Sequence, residues 1–214
     1  MIIATDLEGT LTTGDSRRGL IDYLQTHGRG LACRKLKWGM TPRALLARLG
    51  LTDERAYRSR WLTEMATLFR GMDRAELRDI ANWVVDHELW PSRRTDVMDE
   101  LLAKQQVGWL IILVSAAYQP ILEAFGERIG AEAVGTELET EGGLLTGRLI
   151  GSINSGRVKA ERLLAELDGE PIYAAYGDAE TDIPMLQLSE EPVAVHPDAA
   201  LRKEAVARGW RIIG

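Results

Sequence analysis

Four short stretches carry side chains that could do chemistry together. DLEGT at 6–10 sets two carboxylates, Asp6 and Glu8, on either side of one apolar residue, with Gly9 and Thr10 behind them. The apolar run WLIILV at 109–114 ends in Ser115 and Ala116, Lys159 stands in GRVKAERL, and GDAETD at 177–182 supplies Asp178 and Asp182. Carboxylates brought to one point repel unless a cation lies between them. Mg²⁺ matches such a set, because it takes carboxylate and carbonyl oxygens and keeps several waters. A hydroxyl and an ammonium beside the ion would hold a phosphoryl group. Gly9 would let the backbone approach that ligand closely. Taken singly, each residue has a plainer reading. Asp-x-Glu is a loop with a helix cap, Ser115 is an N-cap, Lys159 is a solvated lysine, and Asp178 caps a helix while Asp182 faces water. Only a fold that gathers them changes the reading.

The hydrophobic pattern specifies such a fold. MIIAT reads as a short buried strand bounded by turn residues. From 15 to 90 the apolar residues recur at helical spacing, at Leu20, Ile21 and Leu24, then Leu45, Leu46 and Leu49, then Trp61, Leu62, Met65, Leu68 and Phe69, and last Leu77, Ile80, Ala81, Val84 and Val85. Thr41-Pro42 and Thr52-Asp53 resemble helix starts, and Gly50 and Gly71 resemble helix stops. After Pro91 helices and strands alternate. Helices are expected at about 94–106, 118–129, 156–167, 180–189 and 198–207, and strands at 109–115, 171–178 and 192–195 and in the terminal WRII. LETEGGLLTGRLIG reads as a β-hairpin turning at Glu-Gly-Gly. This alternation implies an α/β fold, a doubly wound parallel (Rossmann-like) sheet with helices on both faces. The chain divides into a core of 1–14 and 91–214 and a helical cap of 15–90 inserted after the first strand. Ligands of such sheets bind outside the carboxyl ends of the strands, where Asp6, Ser115 and Asp178 are expected.

DLEGTL, the strand ending in Ser115, Lys159 and YGDAETDIPML together resemble the haloacid dehalogenase superfamily of phosphohydrolases, from Asp6 to Leu186 apart from the insert. The helical insert, and the hairpin ahead of the lysine, resemble the phosphoserine phosphatase-like branch. The resemblance implies a Mg²⁺-dependent phosphatase acting on a small phosphorylated metabolite. Asp6 would be the nucleophile that forms an aspartyl-phosphate, and Glu8 the general acid and base. The Asp6 carboxylate, the Glu8 carbonyl and Asp178 would bind Mg²⁺, with Asp182 supporting it. Ser115 and Lys159 would hold the phosphoryl oxygens, helped by N–H groups at Gly9 and Ala116 and by Thr10.

Two departures from the family pattern stand out. Most phosphatases of this superfamily carry aspartate where this chain has Glu8. The extra methylene displaces the carboxyl by ~1.5 Å, and a misplacement of ~1 Å can cost on the order of a hundredfold in rate. In phosphoserine phosphatases an acid and a cap arginine clamp the substrate's amino-acid part. Asp15 could serve as the acid, but Met65 falls where the arginine is expected, with Arg58 and Arg60 ahead of it. The aromatic residues Trp38, Tyr57, Trp61 and Phe69 read as the cap's own core.

Composition narrows the classes further. The 214 residues are 45% hydrophobic and carry a net charge of -6, which disfavours a nucleic-acid binder. The single cysteine, Cys33, can form no internal disulfide. Asp6 breaks the N-terminal apolar run too early for a signal peptide, and WLIILV is too short to span a bilayer. A cytoplasmic protein without membrane or nucleic-acid partners is expected. Two other classes share some of these residues. One is a receiver-like signalling module, against which the long insert argues. The other is a catalytically weakened phosphate-binding protein, for which Glu8 is the motive.

Overall fold

The computed structural model describes residues 1–28, 30, 31, 33, 34 and 54–214, with backbone only for 54–58. The expected helix around Leu45, Leu46 and Leu49, its flanking signals at Thr41-Pro42, Gly50 and Thr52-Asp53, and Trp38 lie outside the described residues. So do the side chains of Tyr57 and Arg58.

Six parallel strands form the central sheet, in the order β3-β2-β1-β6-β7-β8. They are β1 (Ile2–Thr5), β2 (Leu110–Tyr118), β3 (Glu132–Thr136), β6 (Ile172–Gly177), β7 (Ser189–Val195) and β8 (Arg211–Ile213). The hairpin is the separate pair β4 (Leu138–Glu141) and β5 (Leu144–Leu149), turning at Gly142 and Gly143, both at positive φ as a tight turn needs. Chain order runs outward from β1 in one direction and then, from β6, in the other. The doubly wound sheet therefore reverses between β1 and β6, the crevice where such sheets bind ligands. Every residue of β1 is buried, as a strand covered on both faces requires.

After β1 come α1 (Ser16–Thr26), α2 (Glu54–Ala66), a 3₁₀ turn at Thr67–Phe69, and α3 (Arg74–Val84), which runs on into a π-helical turn at Val85–Leu89. Asp15 caps α1 through the Arg17 and Arg18 N–H groups. Asp73 and Glu76 cap α3 reciprocally. The remaining helices are α4 (Thr95–Gln106), α5 (Gln119–Ile129), α6 (Arg157–Leu167), the four-residue α7 (Ile183–Leu186) and α8 (Ala199–Arg208). One apolar cluster joins Ile3 of β1 to Leu20, Met65, Ile80, Val84, Leu122 and Phe125, so the inserted helices share a core with one face of the sheet. The other face packs separately, around Ala4, Ile112, Leu163 and Leu201. Among the described residues no helix is long and apolar enough to cross a membrane.

The two crossings between sheet and insert bind each other. Thr12 Oγ1 donates to Leu89 O at 2.6 Å, the Thr13 N–H to Ser92 O at 2.9 Å and the Arg94 N–H to Leu11 O at 2.7 Å. The insert also reaches the hairpin. Gly71 N–H donates to Leu145 O and Leu145 N–H to Met72 O, both at 2.8 Å.

Two expectations need correction. The strand expected at 109–115 runs instead from Leu110 to Tyr118 and passes directly into α5, with Pro120 in that helix's first turn. Ser115 is thus a strand residue and not an N-cap. The helix expected at 180–189 shrinks to a 3₁₀ turn, Glu180–Asp182, and α7, since β7 begins at Ser189 in register with Ile172.

Candidate active site

Asp6 follows β1 directly, and its N–H continues the ladder by donating to Tyr176 O at 2.9 Å. Its side chain is buried and meets Lys159 on the first turn of α6. Lys159 Nζ donates to Asp6 Oδ1 at 2.6 Å and to Asp182 Oδ1 at 2.5 Å, and the lysine is 3% exposed. Asp182 uses its other oxygen to accept the N–H groups of Asp178 and Ala179, each at 3.1 Å. The turn after β6 is therefore fixed by the same carboxylate that fixes the lysine.

Asp178 accepts from Thr10 Oγ1 at 3.2 Å. Gly9 sits opposite it at φ 100°, and a Cβ there would fall 2.1 Å from Asp178 Oδ2. Only glycine leaves room for that carboxylate. The Gly9 N–H, expected to hold a phosphoryl oxygen, instead donates to Thr12 O at 2.7 Å. Gly9 thus acts through the missing side chain, because its turn consumes its donor. Thr10 is fully buried, and its hydroxyl serves Asp178.

Asp6, Asp178 and Asp182 present carboxylate oxygens all within 4.8 Å of one another. Burial raises the Asp6 pKa to about 6, with Lys159 opposing and Asp182 reinforcing the shift. Burial first, then the Asp6 and Asp182 charges, raise Asp178 to about 8. Burial alone would lower the Lys159 pKa, but the Asp182 and Asp6 carboxylates outweigh it and hold the lysine charged. One ammonium among three carboxylates leaves negative charge uncompensated, and an all-oxygen donor set of this kind fits a hard divalent cation.

The Glu8 carboxyl stands apart from that cluster. Its Oε1 accepts the N–H of Ser16, the first residue of α1. Burial chiefly, with Asp15 nearby, raises its pKa to about 7 against the Ser16 hydrogen bonds. Ser115 is 3% exposed on the bulged end of β2, with Ala116 and Ala117 beside it.

A cavity of about 550 Å³ unites these groups: Asp6, Glu8, Gly9, Ser115, Ala116, Lys159, Asp178 and Asp182 all line it. The insert adds Asp15, Arg17, Ser59 and Leu62 to its lining. A larger concavity of about 780 Å³, near Gln187, Glu190 and Trp210, lies at the amino ends of β7 and β8. It gathers no carboxylate cluster among the described residues, so the chemistry points to the smaller cavity.

Sequence reasoning passes over Asn154 and reads Arg17 and Arg94, in the short basic clusters Arg17–Arg18 and Arg93–Arg94, as solvated residues, whereas the structure gives both specific partners. Arg17 pairs with Asp15 at 2.5 Å and reaches over Trp61, so Asp15 already has a cation beside it. The spacing Asp-x-Arg could have suggested this. Arg94 Nε donates to Gly9 O at 3.0 Å, which no motif signals. Met65 is fully buried, and Arg60 is exposed beside Glu64 at 3.6 Å.

A model of the haloacid dehalogenase-like hydrolase family matches residues 3–187. Phosphoserine phosphatase SerB1 of Mycobacterium tuberculosis is 32% identical over 225 residues, covering 97% of this chain and 68% of that protein. A second protein of the same organism, described as a "Probable phosphatase", is 32% identical over 158 residues, covering 72% of this chain. The chain spans 55% of the length of that relative. A Bordetella pertussis protein of unknown function has the same fold, with a TM-score of 0.82, 23% identity and coverage of 100% of this chain and 97% of its own.

Proposed function

The chain belongs to the haloacid dehalogenase-like hydrolases, and from that premise we propose that it is a Mg²⁺-dependent phosphatase of small phosphorylated metabolites. The observation that carries this reading is the division of its acids. Asp6 is held against the ammonium of Lys159, beside Asp178 and Asp182. Glu8 is held away from that cluster, at the N-terminus of α1, with a pKa of about 7.

Asp6, Asp178 and the Glu8 carbonyl would hold the Mg²⁺, with Asp182 fixing Lys159 and the 178–179 turn. When bound, the ion would offset the charge of these acids and of the phosphoryl oxygens. The Ser115 hydroxyl, the Ala116 N–H and Lys159 would hold those oxygens. An Asp6 oxygen attacks phosphorus, and the bond from phosphorus to the ester oxygen breaks. Glu8 gives its proton to the departing alkoxide. A water then attacks the phospho-Asp6, Glu8 takes its proton, and phosphate leaves with Asp6 restored. A group titrating near 7 populates both forms at neutral pH, as serial acid and base work requires.

We place the described part of the insert beside this centre, with Ser59 and Leu62 of α2 meeting the leaving group. The test is turnover of an aryl phosphate and a panel of phosphorylated metabolites, with Mg²⁺ and with chelator. Turnover that needs the metal supports the reading. Full turnover in excess chelator contradicts the metal requirement, and a lasting phospho-protein without turnover points to a receiver-like module.

A further inference from the structure

Asn154 lies on the loop between β5 and α6, fully buried, and no motif marks it. Its hydrogen bonds fall at the break in the β2–β3 pairing. β2 and β3 pair as far as Val114 and Val134, lose register, and pair again only at Tyr118 and Thr136. Ser115 and Ala116 fall in that gap, so their carbonyls need other donors. The Ser115 carbonyl accepts from Asn154 Nδ2 at 3.1 Å, and the Ala116 carbonyl from Thr136 Oγ1 at 2.8 Å. Asn154 Nδ2 also donates to Val134 O at 2.7 Å, and the Asn154 N–H to Thr136 Oγ1 at 3.1 Å. One side-chain amide thus spans the two strands where their own ladder is open.

The other half of that amide is unused. Asn154 Oδ1 is buried with no hydrogen-bond partner. Buried acceptors are rarely left so, and an apolar residue would fill the site without one. What the site requires is two donors, one for each strand. The residues on either side, Ile153 and Ser155, line the cavity.

We propose that Asn154 is a positioning residue for phosphoryl binding. By tying the Ser115 carbonyl to β3 it keeps β2 bulged, and the bulge turns the Ser115 hydroxyl and the Ala116 N–H toward the phosphoryl site. Asn154 acts through Ser115 and Ala116 and touches no reacting atom. The proposal rests on the phosphatase reading above.

A double-mutant cycle tests it. Asn154→Ala is expected to lower kcat/KM for an aryl phosphate by about 10- to 100-fold, the scale of a ~1 Å displacement. Its Mg²⁺ requirement and pH profile should stay those of the parent, because Asp6, Glu8 and Asp178 are untouched. With Ser115→Ala already present, the same substitution should cost at least about threefold less than it does in the parent, since one of the two groups it positions is gone and only the Ala116 N–H remains. Asn154→Thr keeps one donor and should fall between parent and alanine; it replaces Asn154→Ala if that variant does not fold. A folded variant within about twofold of the parent, or a loss undiminished by Ser115→Ala, overturns the proposal. The cycle is repeated on orthophosphate binding by calorimetry in Mg²⁺. A parent that binds orthophosphate without turning over esters contradicts the phosphatase reading and leaves binding to decide Asn154. A parent that does neither overturns both.

Discussion

The two walls of the cavity are built by opposite means. On the sheet side, Asp6, Lys159, Asp178 and Asp182 come from three separate segments and lock one another through bonds of 2.5–3.1 Å. On the helical side, Asp15, Arg17, Ser59 and Leu62 reach the cavity from helices whose positions are set by apolar packing behind them. Interlocked buried charges organise the first wall; apolar packing, with the single Asp15–Arg17 pair at its face, organises the second. The first wall is suited to fixed chemistry on a phosphoryl group, the second to a leaving group that differs among substrates.

The comparison predicts unequal sensitivity, largest where the charges interlock. Lys159→Ala removes the shared cation and leaves two carboxylates facing each other. A loss of about 10³-fold in kcat is expected. Removing one partner from a buried ion pair also destabilises by about 3–5 kcal/mol, so a stability loss accompanies the catalytic loss expected of a lysine that holds the phosphoryl group. Steady-state kinetics and urea unfolding of the same variant check both effects. Wild-type stability with lost activity would show the triad to be electrostatically slack.

The buried acids that line the cavity make stability depend on pH. Burial raises Asp6 to about 6, Glu8 to about 7 and Asp178 to about 8, all above their ordinary values of 3.8, 4.5 and 3.8. The unfolded chain therefore loses these protons at lower pH than the folded one. Stability from these groups is full below about pH 4 and is lost as the pH climbs toward about 8. Without metal, the melting temperature should fall across that window. Asp178→Asn should flatten the fall and raise the Mg²⁺ concentration needed for half-maximal activity by at least about tenfold. Mg²⁺ should raise the melting temperature most at the alkaline end, where it meets ionised carboxylates. A metal-free melting temperature that rises from pH 4 to 8 would contradict the acid cluster's protonation.

The smallest effect is expected on the helical wall. Leu62→Ala should change the rank order among phosphorylated metabolites while altering aryl phosphate turnover by less than about threefold. Deleting the whole insert is a poorer probe, because it would bare Leu122 and Phe125 on α5, which share a core with Ile80 and Val84. Tyr118 OH also donates to Leu62 O at 2.5 Å, tying the end of β2 to α2. A panel ranked identically by parent and Leu62→Ala would mean that this wall does not read the substrate.

The same contrast separates what was legible in the sequence from what was not. Asp6, Ser115, Lys159 and Asp178 follow apolar runs or open a helix, so strand periodicity alone sends them to one edge of the sheet. α1 and α3 were legible because Leu20, Leu24, Leu77, Ile80 and Val84 keep helical spacing. The spent donor of Gly9 was hidden, since it depends on a turn closed by Thr12 O. The bulge at Ser115 was hidden too, because Asn154, 39 positions away, holds it. The pairing of Asp15 with Arg17 lies within one helical turn, yet its meaning depends on which wall it faces.

Glu8 joins the two walls: it leaves the sheet side in sequence and is held by the first N–H of the helical side. In the proposed reaction Glu8 makes both proton transfers and Asp6 forms the covalent bond. Glu8→Gln keeps the size and removes the titrating group. An aryl oxide leaves with little protonation, so the first step survives, whereas the second lacks its base. Intact-protein mass spectrometry of Glu8→Gln, quenched rapidly after mixing with an aryl phosphate and Mg²⁺, should show one added phosphoryl group, absent when Asp6→Asn is also present. Turnover at the parental rate with no added mass would contradict the roles of both residues.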